Sequence, residues 1–112
     1  MLLKELYNTK IDRMTQENYT RHLFQTFGIE VYEVAECRYT GFIKRNATYH
    51  MYVPILVDGD IRSLKHDDMR HYYCADIAGV KYRMKEWCRN DPEMLYALHN
   101  AVCKMKKTRK VV

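Results

Sequence analysis

Residues 48–57 read Thr-Tyr-His-Met-Tyr-Val-Pro-Ile-Leu-Val, and this stretch decides the fold. Every second residue from Tyr49 to Val57 is apolar or aromatic, and a period of two is typical of a β-strand. Asp58-Gly59 follows directly, and this dipeptide between apolar runs predicts a tight hairpin turn. Because Pro54 has no N–H to donate, we expect the strand to lie at a sheet edge or to be bulged there.

The surrounding stretch, Arg38 to Lys65, predicts two or three antiparallel strands. Phe42-Ile43 enters the strand that precedes the main one, and residues 61–64 form the returning strand after the turn. Upstream, residues 29–37 are rich in Val, Tyr and Ile and predict a further strand.

Two groups of helices flank these strands. Residues 1–14 predict a helix interrupted near Asn8-Thr9, and Thr15 is a natural N-cap for a second helix that stops at Gly28. Downstream, Asp67 and Asp68 are expected to cap a long helix that runs to about Arg89. Its core stripe would consist of Met69, Tyr73, Ile77, Val80, Met84 and Trp87.

The last helix has the cleanest amphipathic pattern in the chain. Asp91 is its expected cap and Pro92 its first residue. Its apolar stripe consists of Met94, Leu95, Leu98, Ala101, Val102 and Met105. The predicted fold is therefore α+β, with N-terminal helices, a three-stranded antiparallel sheet and two C-terminal helices packed on one face. Residues 1–105 are expected to form a single domain, and residues 106–112 a basic C-terminal tail.

The charge of the chain indicates an anionic partner. Its net charge is +5. Residues 1–56 hold seven Lys and Arg against six Asp and Glu, whereas residues 57–112 hold twelve against eight. Such a basic field is typical of proteins that bind nucleic acid.

No run approaches the roughly 18 apolar residues of a membrane span, so no membrane partner is expected. The four Cys form no paired motif, which predicts free thiols in a reducing cytoplasm.

The candidate nucleic-acid contacts are basic and aromatic residues of the ribbon and the tail. Basic side chains anchor phosphates, whereas Arg, Lys or Tyr can reach base edges. The competing interpretation is an ordinary solvated sheet face with cross-strand aromatic pairs. The candidates are Arg38, Lys44, Arg45, His50, Tyr52, Arg62, Lys65, Lys106, Lys107, Arg109 and Lys110.

Five segments follow one another between residues 40 and 90. In order, they are a Gly-led basic segment, an aromatic-led segment, a Gly turn, a third strand and an Ala-containing segment. These are Gly41-Phe42-Ile43-Lys44-Arg45, Tyr49-His50-Met51-Tyr52, Asp58-Gly59, Ile61-Arg62-Ser63-Leu64 and Ala75-Asp76-Ile77-Ala78. Their order resembles the three-strand-plus-helix DNA-binding module of plant ethylene-response-type factors and of some phage homing endonucleases. The resemblance implies an accessory DNA-binding protein whose strands, not its helix, contact DNA. It would place those contacts on Lys44, Arg45, His50, Tyr52 and Arg62.

Other hypotheses stay open. The order helix, three strands, helix is also that of double-stranded RNA-binding domains, whose characteristic loop is missing here, so DNA is preferred to RNA. His66, Asp67, His71 and Cys74 lie close in sequence, and on a helix His71 and Cys74 would share one face as metal ligands. Without a paired ligand motif, we expect no metal and no cofactor.

Enzymatic and protein-binding functions are the remaining alternatives. Asp58 and Asp60 end a strand and could bind Mg²⁺ in a small nuclease, although an Asp-Gly hairpin turn explains them equally well. The expected protein is therefore not an enzyme. An interaction module or inhibitor that binds another protein is the main rival, with Met94, Leu98 and Met105 facing a partner chain. A homodimer that binds nucleic acid would combine both functions.

Overall fold

The computed structural model describes residues 2–34, 39–40, 43–44 and 48–110. Three antiparallel strands form the main sheet: β1 (Glu30–Val34), β4 (Thr48–Val53) and β7 (Arg70–Cys74). Their order is β1-β4-β7, with β4 in the centre. Two further short antiparallel pairs are formed by β2 (Tyr39–Thr40) with β3 (Ile43–Lys44), and by β5 (Leu56–Val57) with β6 (Asp60–Ile61). The α+β class with a three-stranded antiparallel sheet is confirmed.

The N-terminal helices are α1 (Leu3–Leu6), α2 (Thr9–Asp12) and α3 (Gln16–Phe27). The expected break falls at Asn8, whose side chain accepts a hydrogen bond from the Lys10 N–H at 2.9 Å and so starts α2. Thr15 caps α3, and Gly28 ends it with φ +71°. These local capping interactions confirm the predicted boundaries because they depend on neighbouring residues alone.

The main strand was predicted to lie at a sheet edge or to be bulged at Pro54; it is the central strand, so the edge alternative was wrong. It ends at Val53, one residue before Pro54, because a central strand needs an N–H at each ladder position and proline has none. The hairpin turn at Asp58-Gly59 is confirmed: the two residues have φ +52° and +82°, as a type I′ turn requires. Within the described part of the chain, the returning strand β6 pairs with β5 and does not join the main sheet.

The helix expected from Asp67 begins ten residues later, which corrects the prediction for residues 67–76. A 3₁₀ turn covers His66–Asp68, and β7 follows it. Helix α4 (Ile77–Asn90) is capped by Asp76, whose carboxylate accepts the Gly79 N–H at 2.8 Å. Tyr73, expected in the core stripe of the helix, is 63% exposed on β7. Tyr72 and Tyr73 favour a strand, and pairing with β4 decides the outcome.

The last helix, α5 (Pro92–Lys110), confirms its predicted stripe, since Leu95, Leu98, Ala101 and Val102 are buried. The hydrophobic core includes residues of α3, β4, α4 and α5, among them Phe27, Met51 and Met84. The helices therefore cover one face of the sheet. Because α5 continues to Lys110, the proposed boundary of the basic tail at Lys106 falls inside a helix. Within the described residues, no helix is long and apolar enough to cross a membrane.

Candidate nucleic-acid interface

Six aromatic side chains gather on the face of the sheet that the helices leave uncovered. Side chains alternate along a strand, so residues next to buried Met51 face outward. The register places Tyr32 opposite His50 and His50 opposite Tyr73, while Tyr52 lies opposite His71. His66 joins them from the 3₁₀ turn. We name this surface the aromatic face; its members are Tyr32, His50, Tyr52, His66, His71 and Tyr73.

The rings in the middle of the aromatic face stack on one another. Tyr52 lies between His66, at a centroid distance of 3.9 Å, and His71, at 4.5 Å, with planes within 13° and 10° of parallel. His50 packs beside His71 and Tyr73, at 4.9 and 4.6 Å. The central ring faces are thus occupied, and Tyr73 (63% exposed) and Tyr32 (45%) are the most accessible tyrosines of the face.

Two hydrogen bonds organise the imidazoles. Nδ1 of His50 lies 2.9 Å from Nε2 of His71. Nε2 of His66 lies 2.6 Å from Oε2 of Glu30, and because a carboxylate only accepts, the imidazole donates. Nε2 of His50 is enclosed and has no hydrogen-bond partner among the described residues.

Electrostatics at this face disfavour additional charge. Partial desolvation of the imidazole, followed by the neighbouring imidazoles of His50 and His66, lowers the pKa of His71 below its ordinary value. Burial, followed by the charge of Glu30, raises the pKa of the Tyr32 hydroxyl. The tyrosine therefore stays protonated at neutral pH and keeps its O–H donor.

Among the candidate contacts whose side chains the structure describes, His50 and Tyr52 lie on the aromatic face and the others lie elsewhere. Arg62 and Lys65 are exposed between β6 and the 3₁₀ turn, with Lys65 directly before His66. Lys107 is exposed on α5, and the Lys106 ammonium donates to the Gln25 carbonyl at 3.0 Å, on the helical side of the sheet. Arg38 and Arg45 lie outside the described residues, as do the side chains of Lys44, Arg109 and Lys110.

Sequence reasoning missed Tyr32, His66, His71 and Tyr73 as members of one surface. The signal was present in residues 70–74, Arg-His-Tyr-Tyr-Cys, where alternate residues face out and in. This signal was missed because Asp67 and Asp68 resemble a helix N-cap, so residues 70–74 were interpreted as part of a helix. Once residues 70–74 are treated as a strand, His71 and Tyr73 fall on the outer face with His50 and Tyr52.

The helix-face arrangement considered for a metal site, the alternative to the expected absence of a metal, does not occur. His71 and Cys74 do not share a helix face; on β7 they point to opposite sides of the sheet, and the buried Cys74 thiol donates to Sδ of Met51 at 3.7 Å. No three His, Cys, Asp or Glu side chains in the described ranges come together as metal ligands. Asp58 occupies the hairpin turn, and Oδ1 of Asp60 lies 3.6 Å from Nζ of Lys104.

A second surface feature is an apolar groove of about 130 Å³ between the end of α3, the β5–β6 hairpin region and the end of α5. Phe24 and Leu64, 47% and 41% exposed, form part of its wall, and Met105 contributes from α5. Leu98, which the rival protein-binding hypothesis placed against a partner chain, is only 1% exposed and belongs to the core.

Comparison of the chain with family models, with curated proteins and with solved structures finds no match.

Proposed function

We propose that this chain is a non-enzymatic nucleic-acid-binding protein that contacts duplex DNA through the aromatic face. The observation that carries the proposal is the gathering of six aromatic side chains, with their polar edges, on the open face of a three-stranded sheet. Imidazole and phenol groups are donors to phosphate oxygens and base edges. The net charge of +5 supplies general attraction to a polyanion.

Ring packing favours a duplex over a single strand. Proteins that bind single strands present free ring faces on which bases stack. Here Tyr52 has an imidazole on each face, so the centre of the surface offers ring edges instead. Edges that carry O–H and N–H groups suit hydrogen bonding to a duplex.

The size of the sheet favours DNA over RNA. Three strands spaced by roughly 4.8 Å span about 10 Å, close to the roughly 12 Å width of the B-DNA major groove. The corresponding groove of A-form RNA is too deep and narrow for side chains to read. The order of preference is therefore duplex DNA, then duplex RNA, then single strands.

Fluorescence anisotropy with labelled duplex DNA, duplex RNA and single strands, at low and moderate salt, tests the proposal. Duplex DNA should bind most tightly, and its affinity should fall steeply as salt rises. Tyr73→Ala should weaken binding, whereas Tyr82→Ala should not. Tyr82 is a matched control because it is 65% exposed but lies on α4. Absence of binding to every polymer at low salt would refute the function.

A second candidate function is binding to a protein through the apolar groove. Its described lining holds one cation, Lys106, and no carboxylate. The exposed Arg62 and Lys65 follow the lining residues Ile61 and Leu64 directly in sequence. This charge fits an acidic segment that inserts one apolar side chain. Affinity for an acidic amphipathic peptide should fall in Phe24→Ser but not in Tyr73→Ala; equal affinity in both variants would remove the groove from consideration.

A further inference from the structure

The hydrogen bond between His50 and His71 joins two ring nitrogens, so one must carry a proton and the other a lone pair. The contact is compatible with one additional proton on the pair: Nε2–H of His71 then donates to Nδ1 of His50, and Nδ1–H of His71 becomes a cationic donor. A second additional proton would place two positive charges in adjacent rings, which is unfavourable.

Exposure assigns the additional proton to His71. His71 is exposed, whereas Nε2 of His50 is enclosed without a partner among the described residues. A charge on His50 would be poorly solvated, and a charge on His71 can face an external ligand.

No protein anion on the described part of the face is free to balance that charge. The groups that face the pair are Glu30 and Tyr32 from β1, Tyr52 from β4, His66 from the 3₁₀ turn and Tyr73 from β7. Glu30, the one carboxylate among them, already accepts from His66 at 2.6 Å. The pKa of His71 is lowered by partial desolvation and then by the imidazoles of His50 and His66, and no carboxylate offsets them. An external phosphate would supply it.

We propose that His71, supported by His50, is a phosphodiester-binding residue of the aromatic face and takes up one proton when a backbone phosphate binds. This inference rests on the proposed nucleic-acid function and adds the identity of the phosphate ligand and its proton requirement. Affinity for DNA should rise as pH falls, by no more than about tenfold per pH unit, the limit for one proton. The salt dependence should steepen by about 0.9 in log–log slope, the value for one more phosphate contact on B-DNA.

The test is a calorimetric titration of the full chain with a short duplex DNA near pH 6.5 in two buffers of different ionisation enthalpy. The difference between the two observed enthalpies counts the protons taken up, which should be close to one. His71→Gln should abolish the uptake and lower the affinity at about pH 6, while matching the native affinity at about pH 8.

Two further variants separate positioning from direct contact. His50→Gln keeps an amide oxygen that accepts the Nε2–H of His71, so proton uptake should persist, whereas His50→Leu should reduce it. His99→Gln, on α5 where the imidazole faces the Thr26 carbonyl, should leave the proton count unchanged.

The outcomes distinguish the two proposals. Absence of binding to DNA at both pH values would reject the nucleic-acid function together with this inference. Binding without buffer dependence, or proton uptake that persists in His71→Gln, would overturn the inference alone.

Discussion

Tyr52 and His71 are cross-strand partners whose rings stack face to face, with centroids 4.5 Å apart and planes 10° from parallel. His66 covers the opposite face of Tyr52 at 3.9 Å. One tyrosine therefore links the central strand, the outer strand β7 and the 3₁₀ turn. The stacking aligns ring edges toward solvent, which makes Tyr52 both a structural and a surface residue.

Tyr52→Leu should lower the free energy of unfolding by about 1–3 kcal/mol, because it removes two aromatic contacts of about 0.5–1.5 kcal/mol each. Tyr52→Phe keeps both stacks and should change it by less than about 0.5 kcal/mol. Urea denaturation measures both values. Equal losses in the two variants would show that the hydroxyl, not the stack, stabilises this part of the sheet.

The stability of the protein should fall as pH falls below about 6.5, partly through His71. The pKa of this imidazole is lowered in the folded chain, so the unfolded chain binds more protons between the two pKa values. Its contribution is fully present above the unfolded pKa and is lost as pH falls through the folded pKa. In urea titrations across this range, His71→Gln should show a weaker pH dependence than the native chain; identical dependence would contradict the assignment.

Asp76→Ala should destabilise the protein by about 1 kcal/mol, the usual cost of a lost N-cap. The Asp76 carboxylate accepts the Gly79 N–H at 2.8 Å and starts α4. Asp67→Ala is the matched control: it should change stability by less than about 0.5 kcal/mol, because Asp67 is exposed in the 3₁₀ turn. Thermal or urea unfolding compares the two variants. A larger loss of stability in Asp67→Ala than in Asp76→Ala would indicate that the helix begins near Asp67, as the sequence predicted.

Leu98→Ala should cost about 2–5 kcal/mol, as expected for a fully buried leucine. Leu98 lies on the core-facing side of α5 and its side chain is 1% exposed. Met105→Ala should cost less, because Met105 is only partly buried and lines the apolar groove. Urea denaturation with native-state circular dichroism checks both. A small loss of stability in Leu98→Ala would indicate that this side chain contacts a partner rather than the core.

Local interactions explain why several elements could be predicted. Thr15 and Gly28 bound α3, and Asp58-Gly59 forms the hairpin, because each depends on residues a few positions away. The stripe of α5 follows from helical periodicity, which places Leu95, Leu98 and Val102 on one side. The candidate surface was only partly predicted: His50 and Tyr52 were named, whereas their partners on β1, β7 and the 3₁₀ turn were not.

The sequence by itself determined the helix caps, the hairpin turn, the amphipathic last helix and the α+β class, because these arise from short-range backbone and side-chain preferences. Only the tertiary structure decided that residues 70–74 form a strand and that β4 is central. Antiparallel pairing with β4 satisfies the N–H and C=O groups of residues 70–74 that face β4, across 17 to 25 positions of sequence. That non-local pairing also brings His50 within 2.9 Å of His71, a contact that no local pattern encodes.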